Sequence, residues 1–174
     1  MSMPSAFRAF RIHNDASGYR GGIETIGAEA LSPGEVLVQV AYSSINYKDA
    51  LAGTGKGKIL RQYPLNGGID VSGTVVASTD PAFKEGDAVL CTGSGLSETR
   101  DGGYGEYVRL PSAWTIRLPK GLSLRESMII GTAGFMAPLA NAAVDKTNPY
   151  SVMNEAANKM AACRPWALSM SQCL

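Results

Sequence analysis

Short runs in which hydrophobic and polar positions alternate recur through the first 120 residues, and then stop. The clearest stretch is Glu35–Tyr42 (EVLVQVAY), where Val36, Val38 and Val40 fall on one face and Leu37, Gln39 and Ala41 on the other. Such alternation predicts a strand with one buried face, and Pro33-Gly34 ahead of it predicts a turn. Shorter runs predict strands at Ala6–His13, Ile69–Ala77, Asp87–Cys91, Tyr104–Leu110 and Trp114–Leu118. Asn14–Gly22, Gly53–Lys58, Pro81–Gly86 and Gly93–Gly105 are rich in glycine or turn formers and read as turns and loops. Gly73, inside a predicted strand, points to a bulge or a close backbone approach. Within these 120 residues Ser44–Ala52 reads as a short helix, with Ser44 or Asn46 as its cap.

Short strands joined by Gly/Pro turns predict a mainly β domain over residues 1–130, a partly closed β-barrel with a few short helices. Ser123 caps a helical stretch, Leu124–Ile130. Residues 131–174 are rich in Ala, Met and Asn and lack alternation, which predicts a helical tail, with a helix at Glu155–Cys163 ended by Pro165. No internal repeat is visible.

Composition narrows the partners. The chain has 174 residues, enough for one domain with a real core. A net charge of +1 gives no strong field, so no nucleic-acid partner is expected. The three cysteines, Cys91, Cys163 and Cys173, are odd in number and far apart, which reads as reduced thiols, with Cys91 in the core. His13 is the one histidine, so no metal site is expected, and its place on an outer strand reads as surface. Arg8 and Arg11 interrupt the first apolar segment, and no run approaches the ~20 apolar residues that span a bilayer. The expectation is a cytoplasmic chain without membrane contact.

Five segments together carry more information than any one of them. They are Ser43–Leu51 (SSINYKDAL) with the glycine loop after it, Gly68–Val75 (GIDVSGTV), Phe83–Leu90 (FKEGDAVL), Gly102–Tyr107 (GGYGEY) and Met128–Phe135 (MIIGTAGF). In this order and spacing they resemble the YhdH/YhfP group of quinone-oxidoreductase-like proteins. These are zinc-free medium-chain dehydrogenases/reductases that include acrylyl-CoA reductases, and the resemblance runs from about Ala6 to Phe135. It implies a GroES-like β-barrel domain that pairs with a Rossmann domain, NADPH in the cleft between them, and hydride reduction of a C=C bond conjugated to a carbonyl. The implied substrate is a small acyl-CoA or quinone-like molecule. Zinc-dependent relatives place a Cys where this chain has Asn46 and a His-Glu pair where it has Ile69-Asp70, so Lewis-acid polarisation by zinc is not expected.

On the residues alone, Asn46 reads as a helix cap and Tyr47 as a packed ring with a wet hydroxyl. The resemblance implies more. Tyr47 would sit near the nicotinamide and orient the substrate or donate a proton, and Asn46 would hydrogen-bond the carboxamide or the substrate carbonyl. Tyr47, Lys48 and Thr132 are the candidate cofactor contacts. Lys48 and Asp49 also read as a surface charge and a local acceptor, and Thr132 also as a helix N-cap. Lys56 and Lys58 lie on a glycine loop that could meet phosphates or stay solvated, but it is not a P-loop. Asp70 reads as structural.

No G-x-G-x-x-G occurs, and the 39 residues after Phe135 are too few for the nucleotide-binding domain of the family. The expectation is therefore no complete Rossmann domain, with residues 131–174 as a remnant of the link to it. The alternative is a non-catalytic GroES-like binding domain or an inert truncated fragment. The face that meets the nucleotide domain in the family should be apolar here, which favours a homodimer.

Overall fold

The computed structural model describes residues 5–139. Among these residues eight strands form two antiparallel sheets. The first has the order β2-β1-β4, from β1 (Phe7–Asp15), β2 (Gly18–Ile26) and β4 (Leu65–Asn66). The second has the order β7-β3-β5-β6-β8, from β3 (Val36–Tyr42), β5 (Asp70–Ser78), β6 (Ala88–Thr92), β7 (Tyr107–Leu110) and β8 (Ile116–Arg117). A bridge between Ala9 and Gly105 links the two sheets without closing them, so the expected barrel takes its open form. Two helices complete the frame, α1 (Tyr47–Thr54) and α2 (Leu124–Leu139).

The main core lies where the alternation of β3 meets that of its neighbours. Val36 and Val38 are fully buried against Val71, Val75, Val89, Cys91, Val108 and Leu110, while Gln39 and Ala41 on the other face are exposed. Gly73 is required where it stands, because a Cβ there would run into the backbone carbonyl of Gln39 across the sheet. The pairing of β3 and β5 is shifted on both sides of that contact, which matches the expected bulge or close approach. A buried polar seam ties the loops to the small sheet. Arg11 donates to Asn66 Oδ1 (3.1 Å) and to the Ala30 carbonyl (3.3 Å), and Asp101 accepts from the backbone N–H of Asn66 (2.8 Å).

Several expectations change, among them the Tyr104–Leu110 strand, which starts only at Tyr107. Asn14–Gly22, read as turn, is mostly strand. The turn shrinks to Ala16 and Ser17, where Asp15 accepts from Ser17 N–H (2.9 Å), and the chain returns as β2. The Trp114–Leu118 strand shrinks to β8, because Ser112–Trp114 winds into a 3-10 turn. The Ser44–Ala52 helix starts later, at Tyr47, with Asn46 as its cap and Gly55 closing it in the left-handed conformation (φ 69°). Ser123 caps α2 as expected, in a capping box: Glu126 N–H donates to Ser123 Oγ (3.2 Å) and Ser123 N–H to Glu126 (2.8 Å). The expected Glu155–Cys163 helix and most of the tail lie outside the described residues.

Candidate functional site

The site is assembled where three separate stretches of chain meet: the turn after β3, the start of β5, and a corner inside α2. Asp70, the first residue of β5, is at the centre and has no solvent exposure. Its Oδ2 accepts from the Ser44 hydroxyl, from Asn46 Nδ2 (2.9 Å) and from the Thr132 backbone N–H (3.0 Å). Its Oδ1 accepts from the Thr132 hydroxyl. Four neutral donors converging on one buried carboxyl are the complement of an ionised, acceptor-only group.

Each donor is delivered by local geometry. Asn46 stands at the N-cap of α1, and the Asp49 carboxylate one turn on accepts its backbone N–H (2.8 Å). The other Asp49 oxygen accepts Ile69 N–H (3.0 Å), which fixes the helix start against the strand that carries Asp70. Thr132 reaches Asp70 because Gly131 breaks the helix with φ 49° and ψ −165°. A side chain at Gly131 would press on Ser44 Oγ (2.9 Å) and Asp70 Oδ2 (3.0 Å), so the corner needs glycine both for its backbone and for space.

Tyr104 forms the wall behind the turn. Its hydroxyl donates to the Ser44 carbonyl (3.1 Å), and Gly68 (φ 93°) lies flat against its ring, where a Cβ would come within 2.6 Å. Burial above all, and then the nearby Asp49 and Asp70 carboxylates, push its phenol above the usual tyrosine range. Tyr104 and Ser43 also line an open groove of about 430 Å³ that runs past Arg8, Phe10, Ile23 and Tyr42.

The structure brings Asn46 and Thr132 together through Asp70. Tyr47 lies next to them at the first position of α1, with its side chain turned outward and 80% exposed. Ile45 (86%), two residues before Tyr47, and Ile129 (51%), three residues before Thr132, are also exposed. Lys48 forms an ion pair with Glu98, and Lys56 and Lys58 are exposed. His13 pairs with Glu24 (2.7 Å). Cys91 is a core thiol, pushed up to about 12, chiefly by burial. Among the described residues no three His, Cys, Asp or Glu side chains gather as metal ligands, and no helix is long and apolar enough to cross a membrane.

The roles of Asp70, Ser44 and Tyr104 were not legible as site roles in the sequence. The signal for Asp70 was present: a carboxylate opening a strand whose next three residues are all buried must find donors or pay the cost of desolvation. Nothing local announced that Ser44 and Thr132 would be those donors.

Two open antiparallel sheets, with the Asn46 turn and the glycine corner meeting at one carboxylate, make up a GroES-like domain. The chain belongs to the alcohol dehydrogenase GroES-like domain family, whose model matches residues 32–120. It is 49% identical over 138 residues to YhfP of Bacillus subtilis, covering 79% of this chain and 42% of that protein. It is 40% identical over 126 residues to the acrylyl-CoA reductase AcuI of Ruegeria pomeroyi, covering 72% and 38%. The structure superposes on the yhdH oxidoreductase of Salmonella enterica in complex with NADP with a TM-score of 0.73 and 47% identity, covering 76% and 41%. The chain thus spans about two fifths of the length of these relatives.

Proposed function

We propose that this chain supplies the substrate-side half of an NADPH-dependent reductase that reduces C=C bonds conjugated to a carbonyl, with acyl-CoA thioesters or quinone-like molecules as substrates. In this reading residues 1–130 form the GroES-like domain. The observation that carries the reading is the exposed Tyr47 hydroxyl beside the Asn46–Asp70–Thr132 cluster.

The residues present suit the nicotinamide end of NADPH. Thr132 spends its hydroxyl proton on Asp70 and keeps acceptor capacity, which suits a carboxamide NH2. Asn46 gives its amide nitrogen to Asp70 and its side chain also caps the first turn of α1, so its part is to hold the turn that carries Tyr47. Lys48 would have to leave Glu98 to meet a phosphate. When bound, NADPH supplies the hydride. Negative charge then develops on the substrate carbonyl oxygen, and a donor placed there lowers the barrier. Tyr47 is the candidate donor: its hydroxyl is free of the Asp70 network and faces outward. Zinc plays no part in this reading. Positions 46, 69 and 70 offer an amide, an aliphatic chain and a carboxylate already saturated with donors.

Titration of the full chain with NADPH, followed by nucleotide fluorescence, with acrylyl-CoA as test substrate, decides the matter. Saturable binding with turnover, reduced about 100-fold by Tyr47→Phe, supports the reading. Absence of binding at millimolar NADPH sinks it for this chain.

A further inference from the structure

We propose that Asp70 is the positioning residue of this site. A single buried carboxylate locks the Ser44–Asn46 turn to the Gly131–Thr132 corner, so that the start of α1, where Tyr47 stands, and the second half of α2 move as one body. The relevance to reduction rests on the reading above, whereas the coupling is a property of the chain itself.

Two features set this apart from an ordinary buried hydrogen-bond acceptor. First, the donors come from two places far apart in sequence, Ser44 and Asn46 on one side and Thr132 on the other, and three of the four bonds end on the same oxygen. A displacement of either side therefore withdraws donors from the atom that holds the other. Second, both partners enter through points that cannot adapt. Gly131 already has the Ser44 hydroxyl and the Asp70 carboxylate against the space a Cβ would take, and the Ser44 carbonyl is held from behind by Tyr104 (3.1 Å). Asn46 is held a second time through its backbone N–H by Asp49 (2.8 Å). Hydrogen bonds to a charged, buried acceptor are among the stronger ones, so the lock is stiff. Tyr47 follows Asn46 directly, and Thr132 is the other half of the candidate site. The carboxylate thus sets the spacing between the donor that would face the substrate and the residue that would face the nicotinamide.

Hydrogen exchange of the full 174-residue chain, read on peptides covering residues 44–54, 131–139 and the β1–β2 hairpin, tests this without nucleotide. Thr132→Val removes the hydroxyl bound to Asp70 and keeps the backbone N–H. Exchange in residues 44–54 should rise about five-fold, the effect of losing one hydrogen bond. The hairpin should not change, and Thr132→Ser should restore protection. Ser44→Ala should loosen residues 131–139 in return. Faster exchange confined to the substituted segment, or spread equally into the hairpin, overturns the proposal, because Asp70 would then merely support the fold. NADPH titration of the same variants is read separately. Coupling without NADPH binding would sink the reductase reading and leave the positioning role standing, and binding without coupling would do the reverse.

Discussion

At the scale of single residues, what the sequence hides is convergence. Asn46 could be recognised as a cap and Gly73 as a close approach, because both act on their own neighbours in chain or sheet. Asp70 acts on residues 24, 26 and 62 positions away, and no local pattern contains those partners. Gly131 belongs with Asp70. Read alone, it is a glycine in a helical stretch. In the fold it holds a positive φ and leaves room for the Ser44 hydroxyl and the Asp70 carboxylate. Gly131→Ala should therefore cost about 1–3 kcal/mol through backbone strain, with crowding of the carboxylate adding to it. The urea midpoint of the variant measures this. An unchanged midpoint would mean that the corner does not hold this conformation in solution.

Among elements, legibility followed burial on one face. β3, β5 and β6 each bury alternate or nearly all side chains, and the sequence placed them to within a residue or two. β2 was missed because its pattern, GYRGGIETI, never becomes a buried face: none of its nine residues is buried, and Ile23 is 76% exposed. That strand exists through its register with β1, from Phe7 opposite Ile26 to Asp15 opposite Gly18, which is information carried by the partner. β4 has two residues, too short for any period to show. The same contrast predicts energetics. Val38 sits on an inner strand of the five-stranded sheet with no exposure, so Val38→Ala should cost about 2 kcal/mol through lost burial and the cavity left behind. Ile23→Ala on β2 should stay within about 0.5 kcal/mol. Thermal unfolding of the two variants side by side checks the assignment, and equal losses would mean that the small sheet packs its outer strand more tightly than described.

For the whole molecule, the groups that hold the site in place also set how the fold responds to alkali. Among the described residues, three buried or half-buried acids have their neutral forms favoured on folding: Tyr104, Tyr19, pushed up to about 12 chiefly by burial, and Cys91, also pushed up to about 12. The unfolded chain releases these protons near 9 for the thiol and near 10 for the phenols, while the folded chain retains them. Above those values unfolding releases protons, so stability is fully present below pH 9 and is lost progressively as pH rises from there. Tyr104 is the informative member because it ties this behaviour to the site. Tyr104→Phe keeps the ring that Gly68 packs on but loses the bond to the Ser44 carbonyl, so at pH 7 the variant should be less stable by about 1 kcal/mol. It also lacks the phenol, so its stability should fall less steeply above pH 10, with the remaining slope left to Tyr19 and Cys91. Urea unfolding followed by circular dichroism at pH 7, 9, 10 and 11 should show the gap between the two proteins closing as the pH rises. Parallel curves over that range would mean that the Tyr104 phenol is solvated in the folded chain, and the wall behind the Ser44 turn would have to be redrawn.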